Sequence, residues 1–177
     1  MNDIESSPGY SGDLKKVMEL ANLQRKIKYS GHTFYWIAGL SVFNSLFAIF
    51  GGGIYFVVGL GVTLLNDGFV TAAAEELGGS PIILGLGFLF NLIFDLIFVV
   101  FGYYAAKGHR WAFIIGMVFY GLDSVLMLFF QQWIGFLFHL YFLWSAFRGL
   151  QALGKLERVL APRIGEEKTY FQSVETT

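Results

Sequence analysis

Apolar residues arrive along this chain in four blocks, and each is long enough for a helix to approach the roughly 30 Å of bilayer hydrocarbon that about 20 residues cross. The blocks are 34–50, 82–104, 111–130 and 133–147. The first and last are short by strict count, and Thr33, Gln132 and Gly149 extend them. Before the first block, Leu14, Val17, Met18 and Ala21 recur at helical spacing, with Lys15, Glu19, Asn22 and Lys26 opposite. With Lys16, Arg25 and Lys28, the stretch 13–30 reads as a basic amphipathic helix. Such a helix lies on an anionic membrane surface or packs on the protein's own cytoplasmic face. Residues 1–12 read as a flexible tail and 154–177 as a second polar tail.

The connections set the orientation. Lys15, Lys16, Arg25, Lys26 and Lys28 precede the first block, Lys107 and Arg110 separate the second and third, and Arg148, Lys155, Arg158, Arg163 and Lys168 follow the fourth. Four crossings put all of them on one side, which the positive-inside rule makes the cytoplasm. The other two connections, 66–80 and 131–132, hold no Lys or Arg, and Asp67, Glu75 and Glu76 lie in the longer one. The expectation is an all-α, polytopic membrane four-helix bundle of two helical hairpins spanning 31–153. An N-terminal amphipathic interfacial helix precedes it, and both termini are cytoplasmic.

The segment 51–80 does not fit a fifth crossing, which would export Lys107 and Arg110 and import the acidic loop. Gly51, Gly52 and Gly53 break the first helix, so 54–65 is expected as a non-spanning apolar piece at the outer interface. The stretch 68–77 is expected as a short external amphipathic helix. Ser80-Pro81 marks the start of the second span, an N-cap residue followed by proline at the first helical position.

Composition sharpens this picture. Of 177 residues, 55% are hydrophobic, 19% aromatic and 14% charged, too little polar surface for a soluble domain of this size. A net charge of −1 gives no field for nucleic acid. With no cysteine, disulfides, thiolate metal sites and cysteine nucleophiles are absent. The charged first thirty residues carry no apolar core of a cleavable signal.

Setting Gly31 on Gly108 aligns GHTFYWIAGLSVF with GHRWAFIIGMVFY, and IFDLIF with LFHLYF sets Asp95 on His139. Two readings stand: a parallel repeat of hairpins, or chance matching between aromatic-rich helices.

Within the spans the ionisable residues are Asp95, Asp123 and His139, each costly in hydrocarbon and so a candidate for chemistry. Counted from the cytoplasmic ends, Asp95 and Asp123 fall at roughly 18–20 Å, Asn44 at roughly 17 Å and His139 at roughly 14 Å. Asn91 lies one helical turn from Asp95, and Ser41, Ser45, Ser124 and Ser145 add hydroxyls. Asn44, Asn91, Asp95, Asp123 and His139 therefore form an expected intramembrane polar cluster. It either relays protons or binds a cation, or it glues helices together by hydrogen bonds worth about 1 kcal/mol each. Two carboxylates and one histidine make no metal site. Gly135 one turn before His139 is a small-xxx-His spacing similar to that of light-harvesting antenna helices, which makes His139 a candidate tetrapyrrole ligand. No GxSxG or HExxH motif occurs, and the glycines of GLGFLF lack the strand–turn–helix setting of a phosphate loop.

The stretches FYWIAGLSVFNSLFAIFGGG, FVVGLGVT, WAFIIGMVFYGLD and WIGFLFHLYFLWSAFRGLQAL resemble a group of small four-helix bacterial membrane proteins of unassigned function. The resemblance covers roughly 33–153 and implies only a bacterial plasma-membrane (inner-membrane) location, since no activity is carried over from that group. The chain is thus expected to meet the lipid bilayer and either other membrane subunits or copies of itself. The first functional expectation is a non-catalytic accessory or scaffold subunit of a membrane complex. The alternatives, in order, are a small oligomeric proton- or cation-linked transporter or channel, a pigment- or haem-binding subunit, and a membrane enzyme.

Overall fold

A computed structural model describes residues 8–50 and 59–175, with side chains over 12–47, 49–50 and 59–161. The described residues form five helices and no strand: α1 Pro8–Ile49, α2 Gly61–Glu76, α3 Pro81–Ala106, α4 Arg110–Phe129 and α5 Trp133–Glu175. Two of them, α3 and α4, are long and apolar enough to cross a membrane. Only 22% of the apolar window of α3 and 39% of that of α4 are buried, whereas the core helix of a soluble protein would be mostly covered. Polar residues lower the hydropathy of the corresponding parts of α1 and α5: Ser41, Asn44 and Ser45 in one, His139 in the other.

The apolar blocks expected at 82–104 and 111–130 fall within a residue or two of α3 and α4. The flanks differ. The amphipathic stretch 13–30 is no separate helix: it continues into the first apolar block as one helix of 42 residues, about 63 Å long. Pro8 opens it, so 8–12 are helical rather than a tail. Gly31, where the expected membrane domain begins, does not interrupt this helix. A Cβ there would come within 2.3 Å of the backbone nitrogen of Ala106, so this glycine is where α1 and α3 touch backbone to backbone. A single helical glycine costs only about 1 kcal/mol, too little to end a helix that gains such packing. Residues 154–175 likewise prolong α5, a helix of 43 residues.

Gly149 does for α1 and α5 what Gly31 does for α1 and α3, since a Cβ on it would meet the Ser30 Cβ at 2.4 Å. Arg110 pairs with Glu157 at 3.2 Å, and the space at Gly108 is bounded by Leu153. The ends of α1, α3, α4 and α5 that carry the basic residues thus meet at one end of the bundle. Midway along, Phe34 is fully buried among Phe98, Phe101 and Phe113, with ring centroids 6.2–6.3 Å away, and it lies so close over Gly116 that a Cβ there would come within 2.6 Å.

The main correction concerns α2. Residues 51–58, where part of the expected interfacial piece falls, lie outside the described residues. From Gly61 the chain is helical, starting before the expected 68–77, and it packs against α1, α3 and α4 instead of standing in an external loop. Thr63, Asp67 and Ala74 recur at spacings of four and seven and are buried on one face. That face pairs with α1 in constant register, Ser41 to Thr63 and Ser45 to Asp67, each pair 22 residues apart, so α1 and α2 run parallel. Asn66 reaches Gly87 and Asn91 on α3, which runs antiparallel. After Glu76, Gly78 and Gly79 take positive φ of 76° and 78° and turn the chain into α3. Ser80 stands at the N-cap before Pro81, but its side chain makes no capping bond.

Candidate functional site

α2 carries into the bundle two things an apolar interior must satisfy, the bare N–H groups of a helix start and a carboxylate. Leu60, the N-cap residue, offers no capping side chain. Asp123 of α4 supplies the cap from across the bundle: the Gly61 N–H donates to its Oδ2 at 2.7 Å and the Val62 N–H to its Oδ1 at 2.9 Å. A carboxylate at a helix N-terminus gains from both the free donors and the dipole. Gly61 permits the approach, for its Cβ would lie 3.3 Å from Asp123 Oδ1.

His139 of α5 completes this group. Its Nε2 lies 2.8 Å from Asp123 Oδ2 and its Nδ1 2.7 Å from the Gly135 carbonyl oxygen. A carbonyl only accepts, so Nδ1 carries a hydrogen and donates. Nε2 then donates to the carboxylate as imidazolium or accepts from the acid, and in either form the pair has no net charge. Tyr120 stacks on the imidazole at 4.2 Å and 14°, and together they close the group from solvent.

These contacts also decide the tetrapyrrole expectation for His139. Both ring nitrogens are engaged by protein atoms, the residue is 0% exposed, and Gly135, which was to leave space for a macrocycle, is itself buried. The site does not fit a haem or chlorin.

A second group surrounds Asp67. Ser45 Oγ donates to its Oδ2 at 2.8 Å, and Asn91 Nδ2 donates to its Oδ1 at 2.6 Å and to Ser45 Oγ at 2.8 Å. Asn66 Nδ2 donates to Asn91 Oδ1 and to the Gly87 carbonyl, both at 3.0 Å. Asp67, assigned to the exterior by the sequence reading, is thus a buried member of the polar layer. The signal that could have found it is the Thr63–Asp67–Ala74 spacing, which marks one helix face.

Of the five residues expected to converge, Asp123 and His139 are bonded to each other, and Asn91 belongs to the Asp67 group. Asn44 is buried, its Nδ2 2.9 Å from where a Cβ on Gly59 would stand. Asp95 is 3% exposed, with Ser41 and Asp67 as polar neighbours. Neither of its carboxyl oxygens has a hydrogen-bond partner among the described residues. The reason lies next door. Thr63 donates its one hydroxyl hydrogen to the Leu60 carbonyl, so in the 2.8 Å bond between Ser41 and Thr63 it is Ser41 that donates. Ser41 has no hydrogen left for Asp95. Among the described residues no three acidic or histidine side chains group as a metal site.

No family model, curated protein or solved structure matches the chain.

Proposed function

We propose that this chain is a multi-pass protein of the bacterial plasma membrane that crosses it four times, with both termini cytoplasmic, and serves as a non-catalytic scaffold subunit of a membrane complex. The reading takes α1, α3, α4 and α5 as the crossings and α2 as a half-helix held inside the bundle. It draws on the basic helix ends gathered at one pole and on the arrangement of apolar residues outside polar ones. Leu86, Leu89, Ile93 and Leu96 of α3 are 57–62% exposed while Asn91 between them is fully buried. Hydrocarbon is the solvent in which that pattern is stable.

The observation that carries the scaffold role is the engagement of both Asp123 oxygens by other helices. Both of its oxygens are engaged, by the Gly61 and Val62 N–H groups and by the His139 imidazole, and all three contacts fix α2 to α4 and α5. A carboxylate so engaged is structural glue. In mild detergent the chain is expected to co-purify in fixed stoichiometry with larger membrane subunits. A homogeneous preparation that moves protons or cations across proteoliposomes would overturn the scaffold role.

One observation favours a second reading, a proton- or cation-linked transporter. Asp95 is buried without a hydrogen-bond partner among the described residues, and an ionised carboxylate in such a place costs several kcal/mol unless a proton or cation joins it. If that reading holds, Asp95→Asn abolishes transport while expression and folding stay normal.

A further inference from the structure

We propose that a cleft between α1 and α5 at the basic end of the bundle binds the phosphate of an anionic glycerophospholipid headgroup, an inference that rests on the membrane reading above. The cleft has a volume of about 320 Å³ and is lined by Arg25, Lys26 and Arg148, with no carboxylate among its described lining residues. None of these three cations takes part in an ion pair among the described residues. Glu19, the nearest acid in sequence, lines an adjoining groove that shares Asn22 and Lys26 with the cleft but is not among the cleft's own lining residues. Two of the cations are held in place before any ligand arrives. The Arg25 guanidinium donates to Asn22 Oδ1 at 3.3 Å, and the Arg148 guanidinium sits 4.6 Å from the centre of the Trp144 ring. The floor is firm: Thr33 and Ser145 share a hydrogen bond of 2.9 Å, and Gly149 lets α5 press against the buried Ser30.

What selects a lipid over a soluble phosphate ester is the surface leading out of the cleft. Tyr29, Trp36 and Phe43 follow one another at seven-residue spacing on α1 and are 69%, 67% and 45% exposed. On α5, Trp144, Tyr141 and Leu137 do the same at one-turn steps, with exposures of 55–63%. Tyr29, Tyr141 and Trp144 also line the cleft, so two apolar tracks start at the cations and run along the spans. That is the outline of a two-chain amphiphile, with aromatic rings at the height where they concentrate in membrane proteins. Basic pockets between spans on the cytoplasmic side bind anionic headgroups by this combination of charge and amphipathic wall.

Native mass spectrometry of the full chain, purified in mild detergent and given defined amounts of phosphatidylglycerol or phosphatidylcholine, tests the proposal. The wild-type chain is expected to retain phosphatidylglycerol preferentially. The combined variant Arg25→Gln, Lys26→Gln, Arg148→Gln is expected to retain roughly tenfold less or lower still, since each basic residue contributes appreciably to binding anionic lipid. Charge reversal by Arg148→Glu alone should lower retention in the same direction if the triple variant does not fold. A control with equal charge loss elsewhere, Lys107→Gln, Lys155→Gln, Arg158→Gln, should bind as the wild type does. Unchanged retention in both cleft variants, an equal loss in the control, or displacement of the lipid by glycerol 3-phosphate at matching concentration would overturn it. Carbonate washing of the source membranes keeps the two readings apart. A chain that washes off refutes membrane residence, whereas one that stays and shows no lipid preference refutes the cleft alone.

Discussion

Asp123 and Asp95 are aspartates of neighbouring apolar helices, both at least nine-tenths buried, and the bundle serves them differently. Asp123 receives the start of α2 and the imidazole of His139. Asp95 faces Ser41, whose only hydrogen is committed to Thr63. The difference comes from how α2 is inserted: its first turn delivers free N–H groups to α4, while its hydroxyl at Thr63 is already bonded to its own backbone. A polar residue in an apolar helix is therefore not informative by type alone. Whether it holds the fold or stays open to a ligand depends on which hydrogens the next element has left.

Removing the served carboxylate should have the largest effect. Asp123→Ala leaves the start of α2 uncapped and His139 without its partner, and a broken buried pair costs about 3–5 kcal/mol. Thermal unfolding in detergent measures it, and a loss below about 1 kcal/mol would break the contrast with Asp95. Asn91→Leu strips bonds from Ser45, Asp67 and Asn66 together, and with about 1–3 kcal/mol for each buried group left unsatisfied it should approach the same loss. Gly116→Ala pushes a methyl into the Phe34 ring, and overpacking of this kind costs about 1–3 kcal/mol. It sharpens the comparison by giving a purely steric reference in the same bundle. The smallest effect is expected for Asp95→Asn, within about 1 kcal/mol of the parent or slightly stabilising, because no hydrogen bond to a described residue is lost and a buried carboxyl is removed.

The apolar blocks that became α3 and α4 were legible because hydropathy over twenty residues is a strong, local signal. The packing roles of Gly31 and Gly149 were not, since a glycine that admits a neighbouring helix looks like any other until the neighbour is known. Asp67 was misread for a related reason. It stands in a segment with other acids, and charge counting assigns such a segment to the exterior. Its burial depends on Ser45 and Asn91, residues 22 and 24 positions away that only the fold brings to it. The pairing of Asp123 with His139 was half visible, as similar depth on adjacent spans. The cap on α2 was not, because backbone N–H groups leave no trace in a sequence.

Four crossings with the basic ends inside would hold α2 within the membrane, and single-cysteine labelling in intact cells tests that arrangement most directly. With an impermeant reagent, Glu75→Cys at the end of α2 should react from outside, while Lys107→Cys at the end of α3 should react only after the membrane is opened. Reaction of Lys107→Cys from outside in sealed cells would contradict the four-crossing bundle, and with it the burial of α2 inside a membrane.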